Sequence, residues 1–218
     1  MFSLRAPHMV ITGIERHKRR RRVNLFVDGR FALALALTLS LEKGLHTGMT
    51  VSDDDLQTLR EEDERRTAYD GAIRLLSYRP RSEKEIRMRL ARRGIGPAIV
   101  EETAARLRQL HYLDDAAFAQ FWRESRENVS PRSRRLIRSE LLFKGVDAET
   151  ATATVEDVDD EEAAYTAAAK RLRALDATDY DAFHRRLGGF LTRRGFSYDV
   201  TRRTLERCWR EIGGAPQP

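Results

Sequence analysis

The spacing of apolar positions changes period partway along the chain. Val23, Leu25 and Val27 alternate with polar or opposite-face residues, and Phe31, Leu33 and Leu35 continue the same period of two. Between the two runs sits Asp28-Gly29, the dipeptide suited to a type I′ turn, whose two central residues both need positive φ. A small antiparallel hairpin or sheet is therefore predicted. Beyond Leu37 the alternation lapses. The pattern there predicts a short helix ending near Gly44, a loop, and a helix capped by Ser52. Asp53, Asp54 and Asp55 fall where the positive end of that helix favours them.

From Ala68 onward nothing reads as strand, and an internal repeat emerges. Arg92 to Ile95, Phe143 to Val146 and Arg193 to Phe196 each place a glycine between a basic and an apolar residue, at spacings of 51 and 50 residues. That order fits a Schellman stop, where glycine takes the left-handed position and the next side chain packs back on the last turn. Ile86 and Leu90, Ile137 and Leu141, and Leu187 and Leu191 stand at i and i+4 at one offset before the glycines, giving three equivalent apolar stripes. Two residues past each glycine come Gly96, Asp147 and Ser197, all suited to an N-cap, with Pro97 at a favoured first helical position. Pro80-Arg81-Ser82 recurs as Pro131-Arg132-Ser133, and Ser82 with Glu85 spells a capping box.

These signals predict a mainly α protein built of tandem three-helix repeats in an elongated, curved array, preceded by the small N-terminal antiparallel sheet. The expected divisions are residues 10–67 for the hairpin and helix region, then repeats over 68–113, 114–158 and 159–212.

Composition sharpens this picture in two ways. Charged residues make up 34% of the chain and aromatics 8%, which suits thin helical modules better than one thick core. Forty Lys plus Arg against 34 Asp plus Glu leave a formal net charge of +6, which favours an anionic partner. No run approaches the roughly 18 apolar residues of a membrane span, and the first residues lack the apolar core of a signal peptide. With Cys208 as the single cysteine, no internal disulfide or multi-cysteine metal site is expected, and the chain is placed in the cytoplasm.

Catalytic signatures are missing from the sequence. Around Gly94 the third glycine and the preceding strand of a dinucleotide loop are lacking, and no Walker-type phosphate loop occurs. His8, His17, His46, His111 and His184 are scattered without metal-ligand spacing. The acidic run from Glu156 to Glu162 reads as helix-start charge at a repeat junction. No enzyme activity, metal or cofactor is expected. Binding candidates are of three kinds. Arg16, Lys18, Arg19, Arg20, Arg21 and Arg22, with His17, concentrate charge in the expected turn between two strands, where a protruding loop can engage phosphate. Arg132, Arg134, Arg135 and Arg138 form a second basic cluster, on a helix. Tyr112, Asp114, Asp115 and Arg126 flank the densest aromatic set, in which Phe118 and Trp122 read most simply as core and the two aspartates as cap and first-turn charge.

Tyr112-Leu113-Asp114-Asp115, Phe118-Ala119, Trp122, Arg126, Ser133, Glu140-Leu141 and Lys144-Gly145-Val146 together resemble the RecX family. Ile11-Thr12, Val23-Asn24, Val27-Asp28-Gly29, Ser40-Leu41 and Lys43-Gly44-Leu45 extend the resemblance, so that it runs from Val10 to Ile212. The resemblance implies a non-enzymatic regulator of the RecA recombinase. Such a protein lies in the groove of the RecA filament on single-stranded DNA and suppresses ATP hydrolysis, strand exchange and coprotease activity. A monomer is expected, with RecA and single-stranded or double-stranded DNA as partners. The outer repeats keep only the glycine stop and the apolar stripe, so no contact residue carries over there.

Two other functions fit the same pattern. Helix pairs joined by a tight glycine turn also serve as helix-turn-helix readers of DNA, although the segment after Gly145 is acidic and only the one after Gly195 is notably basic. A helical scaffold binding protein alone is the other, and weak salt dependence would mark it.

Overall fold

A computed structural model of the chain describes residues 8–17, 21–172 and 179–212. Among them are four strands and ten helices, and residue contacts group the chain into two compact units. The first comprises Met1–Leu75 and Arg89–Arg106, the second Leu76–Met88 and Leu107–Pro218.

In the first unit, β1 (Met9–Arg16), β2 (Arg22–Val27), β3 (Arg30–Ala36) and β4 (Thr50–Val51) form an antiparallel sheet in the order β3-β2-β1-β4. The β2–β3 turn is the expected one, with φ of 46° at Asp28 and 78° at Gly29. Two-residue β4 carries no periodic signal and was not legible in the sequence. Ile11, Val23, Leu25, Val27, Leu33 and Leu35 bury one face of the sheet. Phe31 departs from the predicted period. A register shift between Leu25 and Phe26 places it opposite Phe26, edge-on at 6.1 Å between ring centroids, and it is 59% exposed. A bulge inserts one residue on one strand, and everything beyond it changes face.

Short α1 (Leu37–Glu42) leads through Gly44 to the loop, and α2 (Asp53–Leu76) then runs unbroken for 24 residues. Its start is a reciprocal cap: the Asp55 N–H donates to Ser52 Oγ, and the Ser52 N–H donates to the Asp55 carboxylate at 2.8 Å. Leu56 and Leu59 close the sheet core. The next turns of α2 secure the outer strand. Arg60 donates to Ala32 O at 3.1 Å, buried Asp63 accepts from Ala36 N–H at 2.7 Å, and Arg22 bridges Asp63 and Ala34 O at 2.6 Å each. Farther along, Arg65 pairs with Glu102 on α4 (Pro97–Gln109), Glu64 accepts from Gly96 N–H, and Arg106 stacks on Tyr69.

The second unit holds α5 (Asp115–Val129), α6 (Arg134–Phe143), α7 (Ala148–Thr154), α8 (Asp160–Leu172), α9 (Tyr180–Arg193) and α10 (Tyr198–Glu211). Phe118, Ile137, Leu141, Val146, Ala151 and Val155 belong to one core. Phe183, Leu187, Leu191, Phe196, Leu205 and Trp209 belong to another, so the second and third repeats each bury a stripe of their own. Cys208 lies in that last core, where burial pushes its thiol up to about 11 and keeps it protonated.

In this unit the helix starts carry side-chain caps, including one at Asp179 that the sequence pattern did not single out. Asp114, Ser133, Asp147 and Ser197 accept from the backbone N–H three residues on, and Asp179 from Asp181 and Ala182. Gly145 and Gly195 sit at φ of 93° and 88°, and Val146 and Phe196 donate back to Leu141 and Leu191, closing the two Schellman stops.

Candidate partner-binding site

The motif of the second repeat assembles around a single carboxylate. Glu140, on the inner side of α6, accepts from Trp122 Nε1 at 2.8 Å and Arg126 Nε at 2.7 Å, and also from the Arg132 guanidinium. Arg126 lies 4.2 Å over the Trp122 ring, and Lys144 Nζ lies 4.0 Å over the same ring. Burial presses the Arg126, Arg132 and Arg194 guanidiniums below their ordinary value, and the Arg126 charge adds to the effect on the other two. Glu140 thus serves as counterion to a group of half-buried cations.

Around this centre, consecutive repeats interlock by one rule used twice. Ser82 precedes α3 (Glu83–Ala91), and its Oγ donates to Lys144 O at 2.7 Å while accepting from Glu85 N–H. One repeat later, Ser133 N–H donates to Arg194 O at 3.0 Å. The two pairs are separated by 62 and 61 residues in sequence. In each, the serine at the head of one middle helix docks on the glycine stop of the next. The Glu85 carboxylate, predicted to close a capping box, turns instead to Lys144 Nζ at 2.6 Å and Arg79 at 3.1 Å. Burial works to raise its pKa, but those hydrogen bonds and charges outweigh it, and the carboxyl sits below its ordinary value. Asp115 accepts from Glu83 N–H at 2.9 Å and so caps α3 from the following repeat. Burial raises its pKa, with Glu83, Asp114 and Asp147 adding repulsion.

The predicted binding residues accordingly fall into three groups. Asp114, Asp115, Arg126 and Arg132 are spent on caps and on Glu140, while Arg22 is spent on Asp63. Arg16 and Arg21 are exposed beside the β1–β2 connection, and Tyr112 is 55% exposed just past α4. Lys18, Arg19 and Arg20 lie outside the described residues. The third group is Arg134, Arg135 and Arg138, on the outer side of α6, which line an open cleft of about 900 Å³ against α7. Among the described residues their guanidiniums meet only neutral acceptors: Val158 O, Gly195 O and Thr152 Oγ1. Sequence reasoning missed Glu140, Lys144 and Glu85 as the hub and its ties. The repeated serine-to-glycine-stop spacing was the signal that could have found the interlock.

Among the described residues no group of three His, Cys, Asp or Glu side chains could hold a metal, and no helix is long and apolar enough to cross a membrane. What the arrangement offers chemically is charge and shape for a partner.

Family models match in succession along the chain. "Regulatory protein RecX N-terminal domain" matches residues 9–52, and the first, second and third three-helix domains of RecX match 68–107, 114–155 and 159–205. "Regulatory protein RecX" of Streptomyces coelicolor is 35% identical over 144 residues, covering 65% of this chain and 77% of the relative. The Bacillus cytotoxicus protein of that name is 28% identical over 216 residues, covering 95% and 80%. A solved structure described as "Crystal structure of regulatory protein RecX" superposes with a TM-score of 0.58 at 24% identity, covering 89% of this chain and 97% of the other. RecX from Lactobacillus salivarius gives 0.55, also at 24% identity, covering 67% and 97%.

Proposed function

The chain belongs to the RecX family of regulatory proteins, and from that premise we propose that it inhibits the RecA recombinase by binding the RecA filament on single-stranded DNA. In this reading the protein acts as a cytoplasmic monomer. It lies along the filament groove and suppresses ATP hydrolysis, strand exchange and coprotease activity. The carrying observation is the unbroken succession of an N-terminal module and three helical domains, each matched by its own family model. The spent motif supports it too, since Trp122, Arg126 and Glu140 are tied to one another within the second repeat and Asp115 and Lys144 to the first, which leaves recognition to side chains outside that hub.

The competing helix-turn-helix reading rests on α10, which is rich in arginine. Three of its four arginines are internally paired, Arg202 with Glu206, Arg203 with Glu161 and Arg207 with Glu211, and Arg210 donates to Glu206 O. That weakens α10 as a groove reader, because phosphates would have to displace those carboxylates.

The test is ATP hydrolysis by RecA on single-stranded DNA with this protein added below and then at equimolar ratio, heat-denatured protein serving as control. Inhibition well below equimolar is expected. No effect on hydrolysis, alongside tight binding to bare DNA, would leave the nucleic-acid module as the better account.

A further inference from the structure

We propose that the cleft between α6 and α7 seats an amphipathic helical segment of a partner protein rather than a nucleic-acid strand. The inference rests on the filament reading and assigns this cleft to the protein component of the filament. Its two walls carry opposite charge. Arg134, Arg135 and Arg138 line the α6 side; Glu149 and Glu156 line the α7 side, with Asp160 at the end. Arg134 and Asp160 touch only through the Arg134 backbone N–H. Among the described residues, none of the three guanidiniums and neither glutamate is in an ion pair, in contrast to Arg202, Arg203 and Arg207 of α10.

Three positive and three negative side chains give this cleft no net charge, so a polyanion gains nothing by entering it. Any phosphate near the arginine wall also lies near the glutamates. A helix with acidic residues on one flank and basic residues on the other satisfies both walls at once. The rest of the lining is Ala148, Thr152, Ala153 and the buried Val155. Such small side chains let a second helix approach closely, at the roughly 8–10 Å separation of packed helices.

The two kinds of occupant predict opposite signs for the same substitutions. In E149Q/E156Q, a phosphate seat loses repulsion and binds more tightly, whereas a protein seat loses its partners for basic side chains. In A153R, an exposed lining position gains a cation and bulk, which strengthens phosphate binding and obstructs a helix. Binding is read by co-sedimentation of the full chain with RecA filaments, regulation by filament ATPase, and bare-DNA affinity with a single-stranded oligonucleotide at fixed salt. Urea midpoints check that the variants fold. The expected result is filament binding weakened about tenfold in both variants, with oligonucleotide affinity unchanged or raised. Filament binding equal to or tighter than wild type overturns the proposal. A wild-type chain that co-sediments yet leaves hydrolysis untouched overturns inhibition alone, and the cleft is then judged on binding. One that does not bind filaments overturns both.

Discussion

At the scale of single residues, the second repeat shows how a recognisable motif conceals its purpose. Arg126 and Arg132 read as binding cations in the sequence, because nothing in their spacing points to Glu140, which lies on the following helix. Asp114 was legible as a cap from its position before a helical apolar run, but Asp115 capping a helix of the preceding repeat was not, since that contact joins residues 32 apart. Glu85 supplies a test of the charge network. Its folded pKa lies below the ordinary value, so its contribution to stability is present above the ordinary carboxylate range near 4.3 and is lost as pH falls through the folded value. Chemical unfolding followed from pH 7 to pH 3 should show part of the acid-induced loss disappear in E85Q. A variant that loses stability as steeply as wild type would show that other carboxylates govern that range.

At the scale of elements, the glycine stops, caps and apolar stripes were written in the sequence, because each depends on neighbours within a few residues. The bulge at Phe31 and the strand pairing of Thr50–Val51 were not, because both depend on a partner strand. The interlock makes the three glycine stops unequal in a way their local sequences do not. A Cβ at Gly94 would meet nothing within 4 Å, whereas one at Gly145 would stand 2.7 Å from Lys84 Cβ and one at Gly195 2.5 Å from Ser133 Oγ. All three positions carry the left-handed penalty of about 1–2 kcal/mol for a residue with a Cβ. G94A should therefore cost about that much in urea unfolding, while G145A and G195A should each cost about 1–3 kcal/mol more through forced overpacking. Equal costs at the three sites would mean that the interlock yields without resistance.

At the scale of the whole molecule, the total of 40 Lys plus Arg overstates how many cations are free to act, although internal pairing leaves the net charge of +6 unchanged. Arg65, Arg66, Arg123, Arg126 and Arg132 all face carboxylates within the chain, as do Arg202, Arg203 and Arg207 of α10. Affinity for bare single-stranded DNA, carried by phosphate contacts, should fall with salt at a slope of roughly −0.7 per phosphate neutralised. Filament affinity, carried largely by protein contacts, should fall less steeply between about 50 and 200 mM salt. Titration of both across that range checks this, and equal slopes would return the contact to the phosphates. The fold class itself was readable from periodicity, whereas the assignment of each cation to partner or counterion needed coordinates, because charges pair across helices whose order in space no local pattern encodes. The outer strand of the sheet adds a consequence of another kind. An uncovered strand edge is a template on which a neighbouring chain can polymerise. In this protein Arg60, Arg22 and Asp63 already occupy Ala32 O, Ala34 O and Ala36 N–H. That edge is thereby closed to strand pairing with a second copy of the chain, by side chains of the sheet's own module rather than by an added strand.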